Sequence, residues 1–202
     1  HGKNFDEARE YSEGLAAEKG SRFVHPANEP LLIAGVATQI LEIIEDFPQV
    51  DAIFVSLGGG SGAAGACIVA KTLNPEIKVI AVQAANAQAG YLSWKERRLT
   101  QSPMETVAEG LATGSGYELP QSILWDLLDD FVLVSDDEIL QAIAILIDKA
   151  HTLSEAAGAT ALAGAIKYGD QIKGKNIAIL VSGGNITLPQ LKEALSKYQP
   201  ES

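Results

Sequence analysis

The stretch Ala52-Ile53-Phe54-Val55-Ser56-Leu57-Gly58-Gly59-Gly60-Ser61-Gly62 leads a short, non-alternating apolar run straight into glycine. A strand without polar alternation is covered on both faces, as in parallel sheets flanked by helices. Ala63 to Leu73, which follows, is alanine-rich and reads as a helix. The glycines therefore form a strand-to-helix turn, where backbone amides point inward and the helix dipole adds positive potential. Such a turn is suited to holding a phosphate. Glycine is required because the bends use positive φ and a side chain would keep an anion off the amides. A tight turn without a ligand is the plainer alternative.

On the amino-terminal side, Asp6 to Lys19 is helical and polar and stops at Gly20, and Arg22-Phe23-Val24 reads as a short strand. Asn28 is expected to cap a helix with Pro30 in its first turn and Leu32, Val36, Ile40, Ile44 and Phe47 on one face. On the carboxyl side, Lys78 to Val82, Phe131 to Val134 and Ile177 to Val181 read as three more buried strands. Ser135 and Glu138 spell a capping box for a helix carrying Ile139, Leu140, Ile143, Leu146 and Ile147. A second alanine-rich helix spans about 156 to 168, and Thr187 with Gln190 opens the last one. Between Ala84 and Asp130 there are short helical hints near Met104 and Ile123 but no clear strand, so an elaborated connection covering a site is expected. The rhythm predicts an α/β fold, a mostly parallel sheet with helices on both faces.

Ligands of such sheets bind at the carboxyl ends of strands. A second glycine-containing loop, Ser182-Gly183-Gly184-Asn185, stands at one of these ends and offers a hydroxyl able to hydrogen-bond a ring nitrogen; by itself it reads as a plain strand-to-helix turn, and it gains force only when paired with the first loop. Gly60-Ser61-Gly62-Ala63-Ala64-Gly65 also satisfies the G-x-G-x-x-G dinucleotide pattern. That reading wants an acidic residue about twenty positions on, where this chain has Gln83.

Composition narrows the partners. With 15 basic and 26 acidic residues the formal charge is -11, which disfavours nucleic acid. No apolar run reaches the roughly 18 residues of a membrane span. The single cysteine, Cys67, lies among apolar neighbours and reads as a buried structural thiol. With no targeting motif visible, a cytoplasmic setting is expected.

Taken in order, His25-Pro26 with Glu29-Pro30, LGGGSGAAG from Leu57, TVAEGLA from Thr106, DFVLVSDDEI from Asp130, SEAAGATA from Ser154 and VSGGN from Val181 form a specific series. The series resembles the large domain of fold-type II pyridoxal-phosphate enzymes of the threonine dehydratase, serine dehydratase and serine racemase group. The resemblance implies that Gly58, Gly59, Gly60, Ser61 and Gly62 hold the cofactor phosphate and that Ser182 faces the pyridine nitrogen. Glu109, Gly110 and Glu155 would lie near the ring or the substrate, with a capping or packing carboxylate as the alternative for Glu155. Glu109 stands where the family more often has aspartate.

Family members carry the Schiff-base lysine in an S-x-K-x-R-G segment ahead of these motifs, in a smaller domain. The chain opens on His1-Gly2-Lys3 and is expected to be a fragment that lacks this amino-terminal small domain. Residues 1–21 would be its trailing helix and 22–202 the cofactor-binding large domain. Ser93-Trp94-Lys95-Glu96-Arg97 imitates the lysine motif but follows the phosphate loop, lacks the glycine and sits in a charged stretch. It is rejected, because a reactive lysine needs a desolvated setting. No catalytic residue is expected in the chain itself.

Some relatives bind a divalent cation where this sequence has Gln83 and Ala89, so no metal site is expected. Gly35-Val36-Ala37-Thr38 also departs from the usual G-Q-G-T, and Ala27 replaces a more polar residue. The whole protein is expected to convert threonine or serine to a 2-oxo acid and ammonia and to self-associate. An amino-acid racemase, a threonine synthase-like enzyme and a non-catalytic cofactor- or anion-binding module are the alternatives.

Overall fold

The structure, a computed structural model, describes residues 1–198. Four strands, β1 (Ala52–Ser56), β2 (Lys78–Ala84), β3 (Asp130–Val134) and β4 (Ile177–Ile179), form one sheet in the order β3-β2-β1-β4, every pairing parallel. Alternate residues of β1 and β2 feed two cores. Phe54, Ile80 and Val82 face α6 (Asp136–Ala150) and α7 (Ala156–Tyr168), with Ala194 of α8 (Leu188–Lys197) on the same side. Ile53, Val55, Val79 and Ala81 face α2 (Pro30–Asp46), α3 (Ser61–Leu73) and Leu124 of α5 (Glu118–Leu127). Covering both faces explains why β1 needs no polar alternation.

Local signals read from the sequence hold in several places. Gly20 takes the left-handed conformation and ends α1 (Phe5–Lys19), and the Ser135–Glu138 capping box starts α6. Thr187 caps α8, accepting from Gln190 N.

Tertiary contacts override other signals. Arg22-Phe23-Val24 forms no strand; Arg22 instead pairs with Glu29 at 2.7 Å, and Val24 is exposed without a neighbouring strand. Glu29 rather than Asn28 caps α2, because the Asn28 side chain accepts from Leu119 N at 3.1 Å. The deepest residues of α2 are Ile33, Ala37, Ile40 and Ile44, while Leu32, Val36 and Phe47 are half-buried. The face is turned because Ala37 seats against Gly65, where an added Cβ would come within 3.1 Å of it. Met104 lies in irregular chain, held there by Glu105 N donating to Asn86 O. A short helix, α4 (Ala89–Glu96), carries the charged stretch around Lys95, whose side chain is exposed. β4 is half-buried rather than buried and ends at Ile179, since it is the outer strand beside β1.

Candidate functional site

The glycine loop leaves β1 after Leu57, whose N–H donates to Val82 O at 2.7 Å. Gly60 has φ +94°, open to glycine and strained for other residues, and it turns the chain into α3 at Ser61. No side chain caps α3, so its first N–H groups have no intrahelical acceptor. Among the described residues, the N–H groups of 58 to 62 meet no backbone carbonyl. The carbonyls are committed by contrast. Gly58 O accepts from Thr113 Oγ1 at 3.2 Å, and Gly60 O accepts from Ala64 N at 2.9 Å. A Cβ on Gly58 would stand 2.8 Å from Gly110 O, and one on Gly59 would stand 3.2 Å from Ala27 Cβ. The loop is thus packed hard from behind and carries free donors. It borders a cavity of about 310 Å3 whose lining includes Gly59, Ser61, Glu109, Gly110, Thr113 and Tyr117. Free amides, an uncapped helix start and an adjoining cavity fit the phosphate of a small ligand.

The second loop leaves the neighbouring strand. Phe54 lies opposite Ile179, and counting on at the same register sets Ser182 level with Leu57, at the same end of the sheet as the glycines. Ser182 is exposed. The loop is held from α7: Glu155 N and Ser154 Oγ donate to Gly183 O at 3.1 and 3.0 Å, and Glu155 Oε2 accepts from Asn185 N at 3.0 Å. Glu155 occupies the N-cap position of α7 without capping it, and its carboxylate braces the loop instead. A second cavity of about 250 Å3 includes Glu109, Gly110, Glu155, Asn185, Thr187 and Gln190 in its lining. Glu109 and Gly110 form a wall common to both cavities.

Several neighbours carried no sequence signal. Thr113 and Tyr117 sit in the irregular segment after Glu109, and Phe5 of α1 joins the first cavity. Tyr117 OH donates to Asp6 Oδ1 at 3.2 Å, and burial followed by the Asp6 charge pushes the phenol up to about 12. His25 stacks edge-on against Tyr117, and its Nδ1 accepts from Ala27 N and Asn28 N at 2.9 and 2.8 Å. Burial, then the Arg9 charge, lowers its pKa. Lys95 lies exposed on α4, its Nζ 5.5 Å from the centre of the Tyr91 ring. Gln83 is fully buried and its Oε1 accepts from Tyr91 N at 3.0 Å. Among the described residues no cluster of three His, Cys, Asp or Glu side chains could hold a metal ion.

A family model described as pyridoxal-phosphate dependent enzyme matches residues 1–183. The chain belongs to this family. Among relatives of this pyridoxal-phosphate family, an L-threonine ammonia-lyase from Thermotoga maritima is 36% identical over 197 residues, covering 97% of the chain and 49% of the relative. A catabolic L-threonine dehydratase from Staphylococcus aureus is 38% identical, covering 94% of the chain and 56% of the relative. The processed form of threonine deaminase isoform 2 from Solanum lycopersicum superposes with a TM-score of 0.91 at 31% identity, over 98% of the chain and 58% of that structure. Serine racemase from Dictyostelium discoideum gives 0.81 at 32% identity, over 89% and 58%. The chain spans about half the length of the curated relatives it matches.

Proposed function

We propose that the chain is the cofactor-anchoring part of an amino-acid ammonia-lyase acting on threonine or serine. Residues 22–202 would form the large domain, of which 199–202 lie outside the described residues, and 1–21 the trailing helix of a smaller one. Helix α1 buries none of its residues, as expected of an element whose main partners lie elsewhere. The observation that carries the reading is the set of free amides at residues 58 to 62, at the start of uncapped α3.

The amides of Gly58 to Gly62 would hold the phosphate of pyridoxal phosphate, and Ser182 would meet the ring nitrogen from the adjacent strand end. A neutral hydroxyl there does not hold the ring protonated, which limits charge delocalisation into it. Pyridoxal phosphate supplies, when bound, the electron sink that permits bond breaking at a substrate α-carbon. Glu109, Gly110 and Glu155 would flank the ring or substrate, with the Glu155 carboxylate holding the 182–185 loop still. The lysine that moves the α-proton would be supplied from outside residues 1–202, so the isolated chain is inactive. A cytoplasmic, self-associating whole enzyme belongs to the same proposal.

The test is titration of the purified chain with pyridoxal phosphate, followed by borohydride reduction and mass spectrometry. Saturable binding with no stoichiometric adduct on any lysine of the chain is the expected result. A stoichiometric adduct on Lys95, or 2-oxo acid formed from threonine by the chain alone, would overturn the assignment of the lysine elsewhere. Absence of binding would leave the anion-cradle reading without support.

A further inference from the structure

We propose that Thr113 is a positioning residue that aims the amides of the glycine loop. The inference rests on the cofactor-anchoring reading and names a residue that makes the anchor rigid. Thr113 is only 5% exposed, and its hydroxyl donates to Gly58 O at 3.2 Å. In a planar trans peptide the carbonyl of one residue and the N–H of the next point in opposite directions. Tethering the Gly58 carbonyl therefore sets the direction of the Gly59 N–H.

This matters because glycines at 58, 59 and 60 have the widest backbone freedom of any residues and no side chains to hold the turn. The hydroxyl of Thr113 is, among the described residues, the side chain of segment 109–113 that hydrogen-bonds to the loop. Its own anchorage is firm. Thr113 N donates to Leu111 O at 2.9 Å and Ala112 N to Glu109 O at 3.1 Å, while Leu111 is buried in the core. Gly110 O presses on Gly58 from the same side, 2.8 Å from where a Cβ would be. Segment 109–113 thus both packs against and hydrogen-bonds one peptide unit, so a change at Thr113 is transmitted to the phosphate donors before it reaches the ring.

The experiment compares wild-type chain, Thr113→Val, Thr113→Ala and Thr113→Ser for binding of pyridoxal phosphate and of pyridoxal, which lacks the phosphate, with thermal unfolding measured alongside. Losing one net hydrogen bond from the cradle is expected to weaken pyridoxal phosphate about threefold to tenfold in Thr113→Val or Thr113→Ala. Pyridoxal binding stays near the wild-type value, and Thr113→Ser restores phosphate-ligand affinity. Equal weakening of both ligands, or an unchanged affinity for pyridoxal phosphate, overturns the role of Thr113 alone. A wild-type chain that binds neither ligand overturns the anchoring reading together with it. If Thr113→Val does not fold, Thr113→Ala and Thr113→Ser carry the same comparison.

Discussion

Glu155 Oε2 accepts the Asn185 N–H at 3.0 Å, joining the start of α7 to the loop after β4. The same residue gives its own N–H to Gly183 O at 3.1 Å, so one amino acid clamps the loop at two points. A Cβ on Gly183 would stand 2.6 Å from Glu155 Oε1, which shows how closely the carboxylate lies along the backbone.

Glu155→Ala removes an acceptor from a loop amide and is expected to destabilise the chain by about 1–3 kcal/mol. Glu155→Gln keeps an oxygen that can accept and should lose much less. Hydrogen exchange at Asn185 distinguishes the two: fast in the alanine variant, near wild type in the glutamine variant. Unchanged exchange in Glu155→Ala would refute the clamp.

Gly58→Ala places a Cβ 2.8 Å from the backbone oxygen of Gly110, which has no flexible end that could swing away. The segment has to move, at about 1–3 kcal/mol. Denaturant unfolding measures this, and affinity for pyridoxal phosphate should fall with it.

His25 makes stability pH-dependent. Its folded pKa is lowered from the ordinary 6.5, so the unfolded chain takes up the proton first as pH falls. The stabilisation is fully present above about 6.5 and is lost as pH falls through the lowered folded value. Burial of the ring and then the Arg9 charge hold the pKa down, and protonation at Nδ1 would also turn the acceptor of two backbone amides into a donor. The unfolding midpoint of the wild type should drop between pH 7 and pH 5 more than that of His25→Asn, whose side-chain oxygen accepts without titrating. Parallel profiles would exclude His25 as the origin.

Cys67 is fully buried, and burial pushes its thiol up to about 12. A thiolate-selective reagent should therefore leave the native chain unlabelled and react at once after denaturation. Rapid labelling under native conditions would contradict that burial.

Much of this architecture was already readable in the linear chain. Ala52 to Leu57 lacks alternation because both its faces are covered, and the glycines that follow it mark the strand-to-helix turn that Gly60 completes. Gly20, Ser135 and Thr187 end or begin helices through bonds spanning a few residues, so neighbouring letters suffice to predict them. The conformation of segment 22–24, the cap of α2, the buried face of α2 and the placement of Thr113 depended on residues far away in sequence. Asn28 is drawn off its cap by Leu119, Ala37 is turned inward by Gly65, and Thr113 reaches Gly58 across 55 positions. Local backbone preference and hydrophobic period reside in sequence order, whereas the partner of a given donor, acceptor or small residue exists only once the sheet has brought its loops to one end.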